Sequence, residues 1–340
     1  MRPALVFALS AIASLFLAHA ALAQERIHYI AADEVMWSYA PHHADLIAGR
    51  PLPPLAPSQL GWVYHKAIYR EYTDASFTKL LVRAAQDSYE GLVGPTIHAE
   101  VGDTVTVVFR NNTQFPVDIA PAGLLSRPAA AAVSPGSTVT YRWPIRAADG
   151  PGPRDGSSVL YTYESSVDET KDQNAGLIGP LIVTRSGAAR ADGSPRDVDR
   201  EIIALFSVQA EARSFLFPRN LGDPSVNPRR ISAKGILLDL SNAFPTLNGF
   251  VFGNMPIPDM RRGQHVRWYL LSTQNDLDGH APTWDGQTVI SQGNRVDTVG
   301  LVTPHQVADM VPDDPGLWLV VCEFNVHLLP GLEARYRVLP

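Results

Sequence analysis

The chain has a single cysteine, Cys322, in 340 residues. One thiol excludes an intramolecular disulfide, a Cys-rich zinc site, an iron–sulfur cluster and CxxC redox chemistry. Charge is scarce as well: 18% of residues are charged and the formal net charge is −6. Nucleic-acid binding needs a basic face, so no nucleic-acid partner is expected. No phosphate-binding P-loop occurs. Beyond the first two dozen residues no stretch approaches the length of uncharged apolar sequence that a membrane span requires, so none is expected. What is plentiful is proline, 28 residues, and glycine, 25, in a chain that is 45% hydrophobic. That length suggests two domains with a real core. High Pro and Gly with modest charge points to a β-rich, loop-rich protein.

The N-terminus has its own pattern. Met1-Arg2 gives a short positive start, an apolar run follows from Ala4 to Leu17, and Ala21-Leu22-Ala23 is a small-x-small site. This is the pattern of a secretory signal over residues 1–23, cleaved after Ala23. The expected compartment is therefore secreted or periplasmic. Oxidising conditions there make an unpaired thiol odd, unless something occupies it.

Short β-branched or alternating runs lie between turn residues throughout. Thr104–Phe109 follows Gly102-Asp103, Thr138–Trp143 follows Pro135-Gly136, and Ile202–Phe206 is a continuous apolar run. Val266–Leu271 follows Arg262-Gly263, and Leu317–Val321 follows Pro315-Gly316. Each reads as a strand; Phe77–Leu81 is expected to form a short turn of helix. Two landmarks recur. The Pro95–Val105 motif around Gly102 has an echo at Pro256–Val266 around Gly263, and Gly176-Leu177 before one final strand matches Gly331-Leu332 before another. Both repeat at an offset of about 160 residues, which signals internal duplication. The expected organisation is all-β: two tandem Greek-key β-sandwich domains, over 24–185 and 199–340, joined by a Gly-, Ala- and Ser-rich linker at 186–198.

Cys322 ends the strand Trp318–Val321, and His327 follows five residues later. His280 stands just after the strand Val266–Leu271. Two imidazoles and one thiolate are the donor set of a blue-copper site, soft ligands that favour copper over calcium or magnesium. The axial position falls on Leu332, which cannot ligate; lacking that donor favours Cu(I) and raises the reduction potential. The remaining histidines carry blander readings. His42-His43 is a solvated loop pair. His65, His98, His265 and His305 stand alone, and a lone histidine more often bonds a backbone carbonyl or ends a strand. Asp168, Glu169, Lys171 and Asp172 form a mixed-charge turn. Trp318 is expected in the core.

At these residues the chain resembles the multicopper oxidase superfamily, in particular the ceruloplasmin type and the A domains of coagulation factors V and VIII. Ala175–Val183 (AGLIGPLIV), preceded by Val167-Asp168 and Lys171-Asp172, is similar to a ceruloplasmin-type domain ending. Leu92–Asp103, Asn248–Asn254 and Gly316–Leu319 carry further likeness. The resemblance covers nearly all of the chain after the signal. It implies cupredoxin folds for both halves, one copper held by His280, Cys322 and His327, and no copper in the first half.

The family's oxidase chemistry also uses a trinuclear copper cluster held by four His-x-His pairs. Aligned by flanking motifs, those positions carry Ala120 and Ala122, Glu164 and Ser166, Thr283 and Asp285, and Val321 and Glu323. No His-x-His occurs in the chain. A calcium loop of the family is replaced by Arg127–Ala132. The first expectation is thus an exported protein with a single high-potential type-1 copper, transferring electrons to or from a redox protein or a small-molecule donor or acceptor. The alternatives are an oxidase of phenols, metals or amines, or a non-catalytic binding module like the clotting-factor domains. Oligomeric state and the role of Glu323 are open from sequence.

Overall fold

A computed structural model describes residues 23–125, 131–231, 234–273 and 279–340. All of the expected signal (residues 1–23) except Ala23, and most of the replaced calcium loop, lie outside the described residues.

The first half contributes eight principal strands. They are β1 (Glu25–Ser38), β2 (Val63–Tyr72), β3 (Ile97–Glu100), β4 (Thr104–Asn111), β5 (Ala120–Ala122), β6 (Thr138–Pro144), β7 (Ser158–Glu164) and β8 (Ile178–Thr184). The second contributes β9 (Arg200–Ala210), β10 (Ala243–Leu247), β11 (Asp259–Arg261), β12 (Val266–Ser272), β13 (Pro282–Trp284), β14 (His305–Met310), β15 (Gly316–Cys322) and β16 (Glu333–Leu339). Sheet order in the first half is β2-β1-β4-β6 and β3-β8-β7-β5; in the second it is β10-β9-β12-β14 and β11-β16-β15-β13. A short hairpin at Val289–Ser291 and Asn294–Val296 extends the third sheet. Every principal strand of the first half thus has a counterpart eight strands later. The parallel pairs repeat too: β1 with β4 and β9 with β12, β3 with β8 and β11 with β16. This is the duplication that the glycine landmarks anticipate, and each half is a cupredoxin-like sandwich.

Alternation sets each core. In β4, Val105, Val107 and Phe109 point inward and meet Leu181, Val183 and Tyr163 of the facing sheet. In β9, Ile202, Ala204 and Phe206 face the second core, while Ile203 and Leu205 face outward. Those outward residues are buried as well, against Leu160, Ile178 and Ile182 of the first half. A strand covered on both faces reads as a continuous apolar run, which explains Ile202–Phe206. The two halves therefore share a sheet-on-sheet apolar seam. Beside it lies a buried ion pair, Lys66 Nζ to Glu211 Oε1 at 2.7 Å. Lys66 also donates to Gln209 Oε1 and the Asn174 carbonyl.

Two local expectations are corrected. Phe77–Leu81 is not helical: Phe77 has φ 52° and Leu80 bridges to Tyr72. The nearby helix is instead a 3-10 turn at Ala85–Glu90. The mixed-charge turn is a helix, α1 (Glu169–Ala175), with Asp168 as its N-cap accepting from the Lys171 amide. Further short helices are α2 (Phe217–Gly222), α3 (Ile236–Ser241) and α4 (Asn325–Leu328). Among the described residues no helix is long and apolar enough to cross a membrane.

Candidate metal centre

Three segments converge at one end of the second sandwich. Cys322 closes β15 and lies opposite Pro282 of β13. His280 precedes β13 and is fixed by a two-way backbone bridge with Leu301, at 3.0 and 2.8 Å. His327 sits on α4, whose single turn is closed by amides of His327 and Leu328 on the Phe324 carbonyl. The chain then turns through Gly331, at φ 106°, where a Cβ would stand 2.7 Å from the Phe252 ring. That turn delivers Leu332 to the core, with its amide on the His327 carbonyl and its carbonyl accepting from the Cys322 amide. A rigid strand end, a bridged residue and a one-turn helix thus fix all three donors.

His280, Cys322 and His327 are all buried, and their ligand atoms lie within 4.8 Å of one another. Among the described residues this is the one such cluster of His, Cys, Asp and Glu. Cys322 Sγ stands 3.8 Å from His280 Nδ1 and 3.5 Å from His327 Nδ1. The imidazole rings are 4.6 Å apart. Donors about 2.1 Å from a central ion and spread in a plane stand about 3.6 Å from each other, so the trio fits one small ion. Burial pushes the Cys322 thiol up, but hydrogen bonds with His280, His327 and the Ala281 amide outweigh it and hold it at about 6. The thiolate form that a soft metal requires is therefore favoured at neutral pH. The Ala281 amide, 3.3 Å from Sγ, supports the sulfur from the outside. Leu332 is fully buried in the same core cluster as Cys322 and brings no donor atom. The residues fit a trigonal copper site.

The four aligned His-x-His positions fall on equivalent strand pairs. Ala120 stands opposite Glu164 on β5 and β7; Thr283 stands opposite Val321 on β13 and β15. None is left open. Glu164 accepts from Gln173, and Ser166 donates to Asp118. Thr283 bonds Thr298, while Asp285 and Glu323 are exposed. The side chains at these positions carry no imidazole.

Among the described residues the other histidines have local settings, and His28 pairs with Glu71 at 2.7 Å. His65 pairs with Asp223 at 2.7 Å, His98 with Glu201 at 3.0 Å and His265 with Asp309 at 3.3 Å. Burial lowers His305, and His42 and His43 are exposed. Trp318 is only partly buried, at the edge of the core rather than inside it. Sequence reading missed the Ala281 amide, because a backbone donor leaves no mark in residue type.

A multicopper oxidase family model matches residues 71–187. Ceruloplasmin of Mus musculus is 35% identical over 341 residues, covering 92% of this chain and 32% of that protein. Ferroxidase HEPHL1 of Homo sapiens is 32% identical over 340 residues, covering 92% and 29%. The chain spans about a third of the length of these relatives. Among solved structures, the blue copper oxidase from Nitrosomonas europaea matches with a TM-score of 0.59 at 16% identity, over 93% of this chain and 86% of that one. At that identity the likeness is one of fold.

Proposed function

We propose that this chain, which belongs to the multicopper oxidase superfamily, holds one type-1 copper between His280, Cys322 and His327 and passes single electrons through it. The observation that carries this reading is the buried trio, with both Nδ1 atoms turned to one thiolate. Copper bound there supplies a one-electron couple. The chain's own residues do the rest. His280, His327 and Cys322 hold the ion from rigid elements, so little moves when its charge changes. Burial of all three excludes water. Leu332 withholds a fourth donor, which favours Cu(I) and a high potential. Around His327, Phe324, Val326 and Leu329 are 40%, 63% and 79% exposed, an apolar rim against which a redox partner can desolvate. The partner is a redox protein or a small one-electron donor or acceptor. Export rests on the N-terminal signal pattern.

Copper titration tests this reading. One equivalent with an oxidant should produce an intense thiolate-to-copper band, and Cys322→Ser should remove it. A colourless protein would sink the reading.

A second reading is oxidation of metals, phenols or amines with O₂; of these, iron is the one that a relative's name, Ferroxidase HEPHL1, carries. Iron(II) gives one electron at a time, whereas reducing O₂ to water takes four. The aligned alanine, serine, threonine and valine side chains offer no imidazole for the metals that would store them. Substrate-coupled O₂ consumption by the pure protein would favour this reading over the first. A third, a binding module with structural copper or none, predicts equal thermal stability with and without copper and no reversible redox wave.

A further inference from the structure

Trp318, Val320 and Cys322 alternate onto one face of β15, the face that lines the second core. Trp284 of β13 stands directly opposite Val320. It is therefore the diagonal neighbour of both Cys322 and Trp318, roughly 7–8 Å across the backbone, a gap that aromatic side chains span. Trp284 is 2% exposed, and the Trp268 ring lies edge-on to it at 5.5 Å. Trp318 is partly open to solvent. Its ring rests against Gly286, where a methyl group would collide with it, and its Nε1 donates to the Asp314 carbonyl. The thiolate, a buried indole and a surface indole thus stand in one row, pointing away from the His327 face.

We propose that Trp284 and Trp318 form an electron relay from the Cys322 site to the surface, giving the copper site a second port. The relay rests on the copper reading for its physiological role. In it, an outer-sphere one-electron oxidant of high potential removes an electron from the Trp318 indole. Trp284 refills Trp318, and the metal–thiolate group at Cys322 refills Trp284. One electron leaves the copper site, one is gained by the oxidant, and no proton moves. The Nε1 atoms of Trp284 and Trp268 have no acceptor, so an oxidised indole there keeps its proton and the charge can move on. Tyr336 is not a carrier: its hydroxyl donates to the Asp285 carbonyl, which is no base for the proton that a tyrosine must lose.

The test uses photoexcited tris(bipyridine)ruthenium with a cobalt(III) amine as final acceptor, on the full chain. Peptide mass spectrometry reads oxidised indoles, and absorption reads copper. In metal-free protein, buried Trp284 should be oxidised, and that product should be lost in Trp318→Phe, which keeps a ring in place. In Cu(I)-loaded protein both indoles should be spared while the blue band grows; in loaded Trp284→Phe, Trp318 should be oxidised again. If metal-free Trp284 stays intact, or Trp318→Phe makes no difference to it, the relay is overturned whatever the copper does. A normal blue band with Trp318 oxidised equally with and without copper overturns the relay alone. Failure to bind copper sinks the electron-transfer reading, and the metal-free arm still decides the relay.

Discussion

At the residue scale, the centre turns on one thiol and the side chain that does not ligate. Leu332→Met is nearly volume-conserving and should fold with a loss of less than about 1.5 kcal/mol. It would place a thioether at the axial position, so the reduction potential should fall and the blue band should shift. An unchanged potential in voltammetry would show that Leu332 does not occupy that position. Cys322, His280 and His327 were legible in sequence because each is a residue type with distinctive chemistry at a motif spacing; Leu332 was placed only by its position after them. Lys66 was not legible. It lies inside β2 without a flanking signal, and its partner Glu211 is 145 residues away in sequence. Only the fold brings them together.

At the element scale, the loop from α4 to β16 sets where His327 and Leu332 stand. Gly331 adopts a left-handed backbone that other residues reach only with strain, and it faces the Phe252 ring. Gly331→Ala should cost about 1–3 kcal/mol. It should also weaken copper binding by roughly 10–100-fold, the usual effect of disturbing a support behind metal ligands. Calorimetric unfolding and copper titration check the two parts; full affinity in a folded variant would contradict them. The strands were the most readable elements. Thr104–Phe109, Thr138–Trp143 and Val266–Leu271 match β4, β6 and β12 nearly to the residue, since alternation and bounding glycines act locally. Phe77–Leu81 misled because its apolar spacing mimics a helical turn. The left-handed Phe77 and the bridge from Leu80 back to Tyr72 decide the matter instead.

At the scale of the whole molecule, the seam between halves carries a buried ion pair whose partners come from the two halves. Lys66→Met leaves the Glu211 carboxylate buried and unpaired, a loss of about 3–5 kcal/mol, while adding Glu211→Gln should recover most of it. Equal melting temperatures for single and double variants would refute that coupling. The seam is also pH-sensitive. Burial raises Glu90 from 4.5 to about 7, against the pull of Arg83. Burial lowers His98, but its bond to Glu201 and that group's charge outweigh this and raise it from 6.5. In both cases the folded state holds the proton more tightly than the unfolded chain. Stability from Glu90 is fully present below 4.5 and lost as pH rises to about 7; His98 extends the loss above 6.5. Glu90 contributes no more than about 3 kcal/mol. Urea unfolding should therefore show wild type losing stability relative to Glu90→Gln between pH 5 and 8, the variant lacking the part of the slope that Glu90 supplies. A slope unchanged in the variant would remove Glu90 from the account.

The most direct test of the central claim is copper stoichiometry measured together with the absorption spectrum of the oxidised protein. A single type-1 site gives one copper per chain and an intense thiolate-to-copper band that vanishes in Cys322→Ser. Several coppers per chain with O₂ reduction, or one bound copper that stays colourless after a strong oxidant, would contradict it.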